Sequence, residues 1–136
     1  MIVVHIDGGS RGNPGPAGYG VRFSDADGSV VCELSESIGV ATNNVAEYRG
    51  LLAALEHAIA QGYHDLDVHS DSELLVKQMR GEYRVKNPGL LALNGDARRL
   101  LTRLGRVRFV HVRREANADA DGLANQAMDR AAQGGA

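Results

Sequence analysis

Four carboxylates in this chain stand where packing alone would favour other side chains. Asp7 follows the apolar run MIVVHI, and Asp71 follows the apolar-polar stretch HDLDVHS. Glu47 begins a row at i, i+4, i+8 and i+11 continued by Leu51, Leu55 and Ala58, the apolar side of a helix, which should face a sheet. Asp121 leads into Ala124, Met128 and Ala131 in a similar way. Brought together, four acids would repel one another and carry raised pKa values unless cations intervened. Hard oxygen ligands of this kind suit Mg²⁺ or Mn²⁺. Two such ions sharing carboxylates would activate a water on one side of a phosphodiester and stabilise the leaving oxygen on the other. That chemistry needs no Ser or Cys nucleophile.

Each acid taken alone has an ordinary explanation. Asn44 with Glu47, and Ser70 with Glu73, fit capping boxes. Asp7-Gly8 is common turn chemistry, and Asp121 near a helix N-terminus complements the helix dipole. The elements that must carry the acids favour a joint site. MIVVHI reads as a central strand. AGYGVRFSD and SVVCELSESI read as two strands joined at Asp27-Gly28. NNVAEYRGLLAALEHAIAQG is a helix ending at Gly62, HDLDVHSD a short strand and SELLVKQM a short helix. After the break at Asn87-Pro88-Gly89 come a helix in LLALNGDARRLLTRLG, a strand in RVRFVHV and a last helix in NADADGLANQAMDRAAQ.

The order β-β-β-α-β-α-α-β-α predicts an α/β fold: a mixed five-stranded sheet flanked by helices. Its first three strands should form an antiparallel meander and the later two should join in parallel. In open α/β sheets, sites collect outside the carboxyl ends of parallel strands. Asp7 and Asp71 are expected at two such ends, with Glu47 and Asp121 near the amino ends of helices packed on the sheet.

With 136 residues, one domain is expected over 1–133, followed by a short Ala/Gly tail at 134–136 that could begin a linker. No window is apolar enough for a membrane span, and no cleavable leader is evident. The lone Cys32 has no internal disulfide partner, and no Cys/His spacing suits zinc. A cytoplasmic protein without membrane or obligatory protein partner is the resulting expectation. The net charge is only −2, but Lys77 to Arg114 holds eleven basic residues against Glu82 and Asp96, a formal +9. Such a block reads either as a nucleic-acid face or as a solvated helix surface. The glycine-rich stretch IDGGSRGNPGPAGYG is not a dinucleotide loop. Its spacing is not G-x-G-x-x-G, Pro14 and Pro16 leave no helix to follow it, and no G-K-[ST] is present.

DGGSRGNPGPAGYG, TNNVAEYRGLLAAL, DSELLVKQM and NADADGLANQAMD resemble, in order, the four signature blocks of type 1 ribonuclease H, over roughly residues 2–133. The resemblance implies the ribonuclease H-like sheet and an endoribonuclease that cuts the RNA strand of an RNA–DNA hybrid with two Mg²⁺ or Mn²⁺ ions, leaving 5′-phosphate and 3′-hydroxyl ends. The family's metal ligands would fall on Asp7, Glu47, Asp71 and Asp121. Gly8, Asn13, Asn43 and Asn44 would lie along the substrate, Thr42 and Asn13 near a DNA-strand phosphate, and Ser72 where the motif expects it. The chain also resembles an actinobacterial subgroup fused to a C-terminal phosphatase-like domain.

Three departures accompany the resemblance. Many members carry a mobile histidine in the loop before the last aspartate; here the loop reads RREANAD, and Arg114 is the candidate substitute. Arginine can meet the scissile phosphate but cannot shuttle a proton. The basic protrusion after the second helix is short, keeping Tyr83 and Lys86 as candidate DNA-strand contacts. Glu73 stands where some relatives have a neutral amide. The alternatives are a broader metal nuclease that also cuts double-stranded RNA, and a non-catalytic hybrid-binding module.

Overall fold

The computed structural model describes residues 1–133, so the Ala/Gly tail expected at 134–136 lies outside the described residues. The chain forms β1 (Ile2–Ser10), β2 (Gly15–Ser24), β3 (Val30–Ala41), α1 (Asn43–Ala60) and β4 (Leu66–Ser70). These are followed by α2 (Glu73–Met79), α3 (Pro88–Leu101), β5 (Val107–His111), a 3₁₀ turn (Arg114–Asn117) and α4 (Ala118–Ala132). The sheet order is β3-β2-β1-β4-β5. β1, β2 and β3 pair antiparallel, whereas β4 lies parallel to both β1 and β5. The mixed sheet expected from the element order is therefore present. No described helix is long and apolar enough to cross a membrane.

The two faces of the sheet are built differently. On one, Val4, Ile6, Val21, Phe23, Leu66 and Val68 pack with Leu51 and Leu55 of α1 and with α2 and α3 in the main apolar core. On the other, α4 lies across β1, β2 and β3 with Ala120, Ala124 and Ala127 fully buried. Small side chains on the helix meet glycines on the strand. A Cβ at Gly18 would lie 2.4 Å from Ala127 Cβ, and one at Gly20 would lie 2.5 Å from the Ala120 carbonyl oxygen. Ser35 Oγ donates to the Leu123 carbonyl at 2.7 Å, and Arg130 Nη2 donates to the Ser35 carbonyl at 2.6 Å, pinning α4 to β3.

β1 overturns one expectation. Asp7 does not end the strand: Gly8, Gly9 and Ser10 continue it, opposite Tyr19, Gly18 and Ala17. Asp-Gly turn chemistry is overruled here by close packing. A Cβ at Gly8 would lie 2.4 Å from the Ala46 carbonyl carbon and 2.5 Å from Glu47 N, so only glycine admits α1. The caps also differ from those expected. Thr42 caps α1, its hydroxyl accepting from Val45 N at 3.2 Å, and Ser72 caps α2, accepting from Leu75 N at 3.2 Å. Neither Asn44–Glu47 nor Ser70–Glu73 forms the capping box, because each helix begins at a different residue than the box requires. α3 starts at Pro88 rather than Leu90, with Asn87 Oδ1 accepting from Gly89 N and Leu90 N.

Candidate active site

The pairing of β1 with β4 ends at Ile6 and Ser70, and the next residue on each chain is an aspartate. Asp7 and Asp71 thus stand side by side where two parallel strands part. The glycines bring helices to this point from both faces. Gly8, beside Asp7, lets the Ala46–Glu47 turn of α1 approach. Gly20, the cross-strand partner of Asp7, lets the Ala120–Ala124 turn of α4 approach, and that turn carries Asp121. Ligand oxygens of Asp7, Glu47 and Asp71 all lie within 4.8 Å of one another. Asp121 stands outside that close trio but lines the same cavity of about 350 Å³, with Arg114, Asn43 and Gly8.

Asp7 is only 7% exposed. Burial, then the Asp71 charge, then the hydrogen bond and charge of Asp121 push its carboxyl from 3.8 up to about 8, with the Gly8 amide acting in the opposite direction. Glu47 is held well above the ordinary carboxyl range, by burial first and by Asp7 and Asp71 next. Its Oε2 is buried with no hydrogen-bond partner among the described residues. A buried acceptor without a donor costs about 1–3 kcal/mol and more when charged. Hard, negatively charged oxygens crowded in this way fit a hard divalent cation.

The other expected residues divide into groups. Asn43 lines the cavity and Asn13, outside the lining, holds it in place, together tying β1–β2 to α1: Asn43 N donates to Asn13 Oδ1 at 3.0 Å, and Ser10 N donates to Asn43 Oδ1 at 2.8 Å. Thr42 and Ser72 are helix caps, and Asn44 is exposed on the first turn of α1. Arg114 is exposed in the 3₁₀ turn and lines the cavity. Tyr83 and Lys86 lie on the segment after α2, outside the cavity lining, with Lys77 Nζ 4.8 Å above the Tyr83 ring. His5 and His69 pack against each other, ring centroids 4.8 Å apart, and neither lines this cavity.

Much of the basic block serves the protein itself. Arg98 donates to Asn94 Oδ1 and the Gln78 carbonyl, Arg80 to the Phe109 carbonyl, and Arg108 to both oxygens of Asp67. Arg99 pairs with Asp96, and Lys77 with Glu73. Arg11, Asn125 and Met128 also line the acidic cavity. Sequence reasoning gave Arg11 and Asn125 no role there, although Asn125 follows Asp121 at the i+4 spacing that puts two side chains on one helical face.

Comparison with known proteins places this geometry. The family model described as "Reverse transcriptase-like" matches residues 5–127. The bifunctional protein Rv2228c of Mycobacterium tuberculosis is 51% identical over 136 residues, covering 99% of this chain, and the chain spans 37% of that protein's length. The structure of that protein's N-terminal RNase H domain superposes with a TM-score of 0.95 at 50% identity, covering 99% of this chain and 98% of the other. Ribonuclease HI of Halobacterium salinarum is 45% identical over 130 residues, covering 96% of this chain and 65% of its own length. LC11-RNase H1, crystallised with an RNA/DNA hybrid, is 43% identical with a TM-score of 0.92, covering 96% of this chain and 99% of that one. Strand order, carboxylate cluster and relatives agree: this chain belongs to the ribonuclease HI family.

Proposed function

We propose that this chain is an endoribonuclease that hydrolyses the RNA strand of RNA–DNA hybrids, leaving 5′-phosphate and 3′-hydroxyl ends. One observation carries the reading: Asp7, Glu47 and Asp71 converge within 4.8 Å while Glu47 Oε2 is buried and unpaired. Acids kept only for structure would be paired with donors or cations of the protein. The LC11 relative's complex with an RNA/DNA hybrid supports the substrate class.

Asp7, Glu47, Asp71 and Asp121 would hold two Mg²⁺ or Mn²⁺ ions. When bound, the metals supply an activated water on one side of the scissile phosphate and charge stabilisation for the leaving oxygen on the other. The water oxygen forms a bond to phosphorus as the bond from phosphorus to the ribose 3′ oxygen breaks, and that oxygen ends protonated. Arg114, at the cavity edge, meets the scissile phosphate. Gly8, Asn13, Thr42, Asn43, Asn44 and Ser72 line the path of the duplex, and Tyr83 and Lys86 take the DNA strand. The 2′-hydroxyl, a donor and acceptor that DNA lacks, marks the strand to be cut. The greater length of the mycobacterial relative and the word bifunctional in its name support a second fused domain in the full-length protein, which the family resemblance makes phosphatase-like.

The test is cleavage of end-labelled RNA–DNA hybrid, double-stranded RNA and double-stranded DNA, each with Mg²⁺, with Mn²⁺ and with chelator. Metal-dependent cutting of the hybrid's RNA strand is expected, with no cutting by Asp71→Asn. An intact hybrid under every metal condition would sink the reading.

A further inference from the structure

A chain of polar contacts runs along the cavity's edge, beside the four acids. Asn125, one turn beyond Asp121 on α4, donates from Nδ2 to the Asp121 carboxylate Oδ2 at 3.1 Å and to the Asp121 carbonyl at 3.0 Å. Its own Oδ1 and carbonyl accept from Arg11 Nη2 at 3.3 and 3.4 Å. Arg11 Nη1 is in turn paired with Asp129 Oδ1 at 2.8 Å. Both ends of the Asn125 amide are therefore committed, which fixes which end faces Asp121. A simple i, i+4 contact on a helix surface would leave the far end free to turn.

Arg11 lies in the connection between β1 and β2, next to Ser10. That connection holds α1 through Asn13 and Asn43 on one side, and α4 through Arg11 on the other. It thus touches both helices that carry Glu47 and Asp121.

We propose that Asn125, braced by Arg11 and Asp129, is the positioning residue for Asp121. It occupies Oδ2 and leaves Oδ1 as the oxygen offered to a divalent cation beside Asp7. The inference rests on the metal-dependent function proposed for the same site. A neutral amide is well suited to this role, because it orients a carboxylate without placing a positive charge where it would compete with the cation. The arginine charge is kept one residue further back, where it orients the amide instead. Partners of this kind, which orient a ligand without touching the metal, typically contribute 10–100-fold to metal affinity or activity.

The test measures Mn²⁺ binding by calorimetry in the absence of nucleic acid, for the wild type, Asn125→Ala and Arg11→Ala. Hybrid cleavage against Mg²⁺ concentration is followed in parallel. Asn125→Ala should weaken Mn²⁺ binding about tenfold, at the low end of the effect of orienting partners. The Mg²⁺ concentration for half-maximal cleavage should rise by a similar factor, while the rate at saturating metal stays within about twofold of the wild type. Arg11→Ala, at an exposed position where folding is not at stake, should weaken Mn²⁺ binding by less than the roughly tenfold expected of Asn125→Ala. Melting temperatures in chelator should stay within about 2 °C for both, as for substitutions away from the core. Unchanged Mn²⁺ isotherms in both variants, with a wild type that binds Mn²⁺ and cuts the hybrid, would overturn this inference and leave the proposed function standing. A wild type that neither binds Mn²⁺ nor cuts the hybrid would overturn both.

Discussion

Replacing Asp7 with Asn should make the metal-free protein more stable at pH 8 and bring no gain at pH 4. The Asp7 carboxyl is pushed from 3.8 up to about 8 by burial, by Asp71 and by Asp121. Below about pH 4 both the folded and unfolded states hold the proton, so the shift costs nothing there. Between about pH 4 and pH 8 the unfolded chain gives up its proton while the folded chain keeps it, and the native state loses stability through that window. A rise of about four pH units, at about 1.4 kcal/mol each, sets a ceiling of about 6 kcal/mol. Asn must still be buried with its own hydrogen bonds, a cost of about 1–3 kcal/mol if they are incomplete. Relaxation of the neighbouring acids takes a further share, leaving an expected gain of about 2–3 kcal/mol at pH 8. For a chain of this length that is a rise of about 6–12 °C in melting temperature. Circular dichroism melts in chelator, run from pH 4 to pH 9 on both proteins, measure the difference. Equal melting temperatures at pH 8, or a difference that does not shrink towards pH 4, would refute the reasoning.

Mg²⁺ at pH 8 should raise the melting temperature of the wild type, and much less that of Glu47→Gln, in which the unpaired buried oxygen has become an amide; equal shifts in the two would remove Glu47 from the cation site. Gly8→Ala puts a methyl carbon 2.4 Å from the α1 backbone, so urea unfolding should show a loss of more than about 2 kcal/mol, within the range for overpacking. A neutral result there would mean that α1 can retreat. Tyr48→Phe removes the hydroxyl that donates to Gln78 Oε1 at 2.7 Å and accepts from Asn94 Nδ2 at 3.2 Å. It should cost about 1–3 kcal/mol in chemical denaturation while hybrid cleavage persists, because the lost contacts join α1, α2 and α3 away from the metal ligands.

The sequence carried the element order because its periodicities are strong where the core is large. The row from Glu47 through Leu51, Leu55 and Ala58 marked the buried side of α1, and those three apolar residues are fully buried. The parallel pairing that sets Asp7 beside Asp71 followed from the order of strands and helices. The use of the glycines was harder to read. Gly8 looks like a turn residue in one dimension, and Gly18 and Gly20 look like ordinary strand positions, because the backbones they admit come from helices distant in sequence. The basic block was ambiguous for a related reason. A formal count cannot tell Arg98, committed to Gln78 and Asn94, from Arg114 at the cavity edge. Asn125 was within reach of pattern reasoning, four residues after Asp121, but its clamp by Arg11 crosses the whole chain.

The seating of α4 on bare backbone has a consequence for how the protein tolerates change. A helix resting on long side chains can absorb an added methyl group by rotamer adjustment. α4 rests on Gly18 and Gly20, with Ala127 and Ala120 directly above, so this contact has no side-chain cushion. Any bulk added there acts as a wedge under a rigid rod, and a tilt about the β3 anchor sweeps the helix's first turn, where Asp121 sits. The protein can therefore be chemically disabled by a single added methyl group on β2, a substitution that alters no charged group.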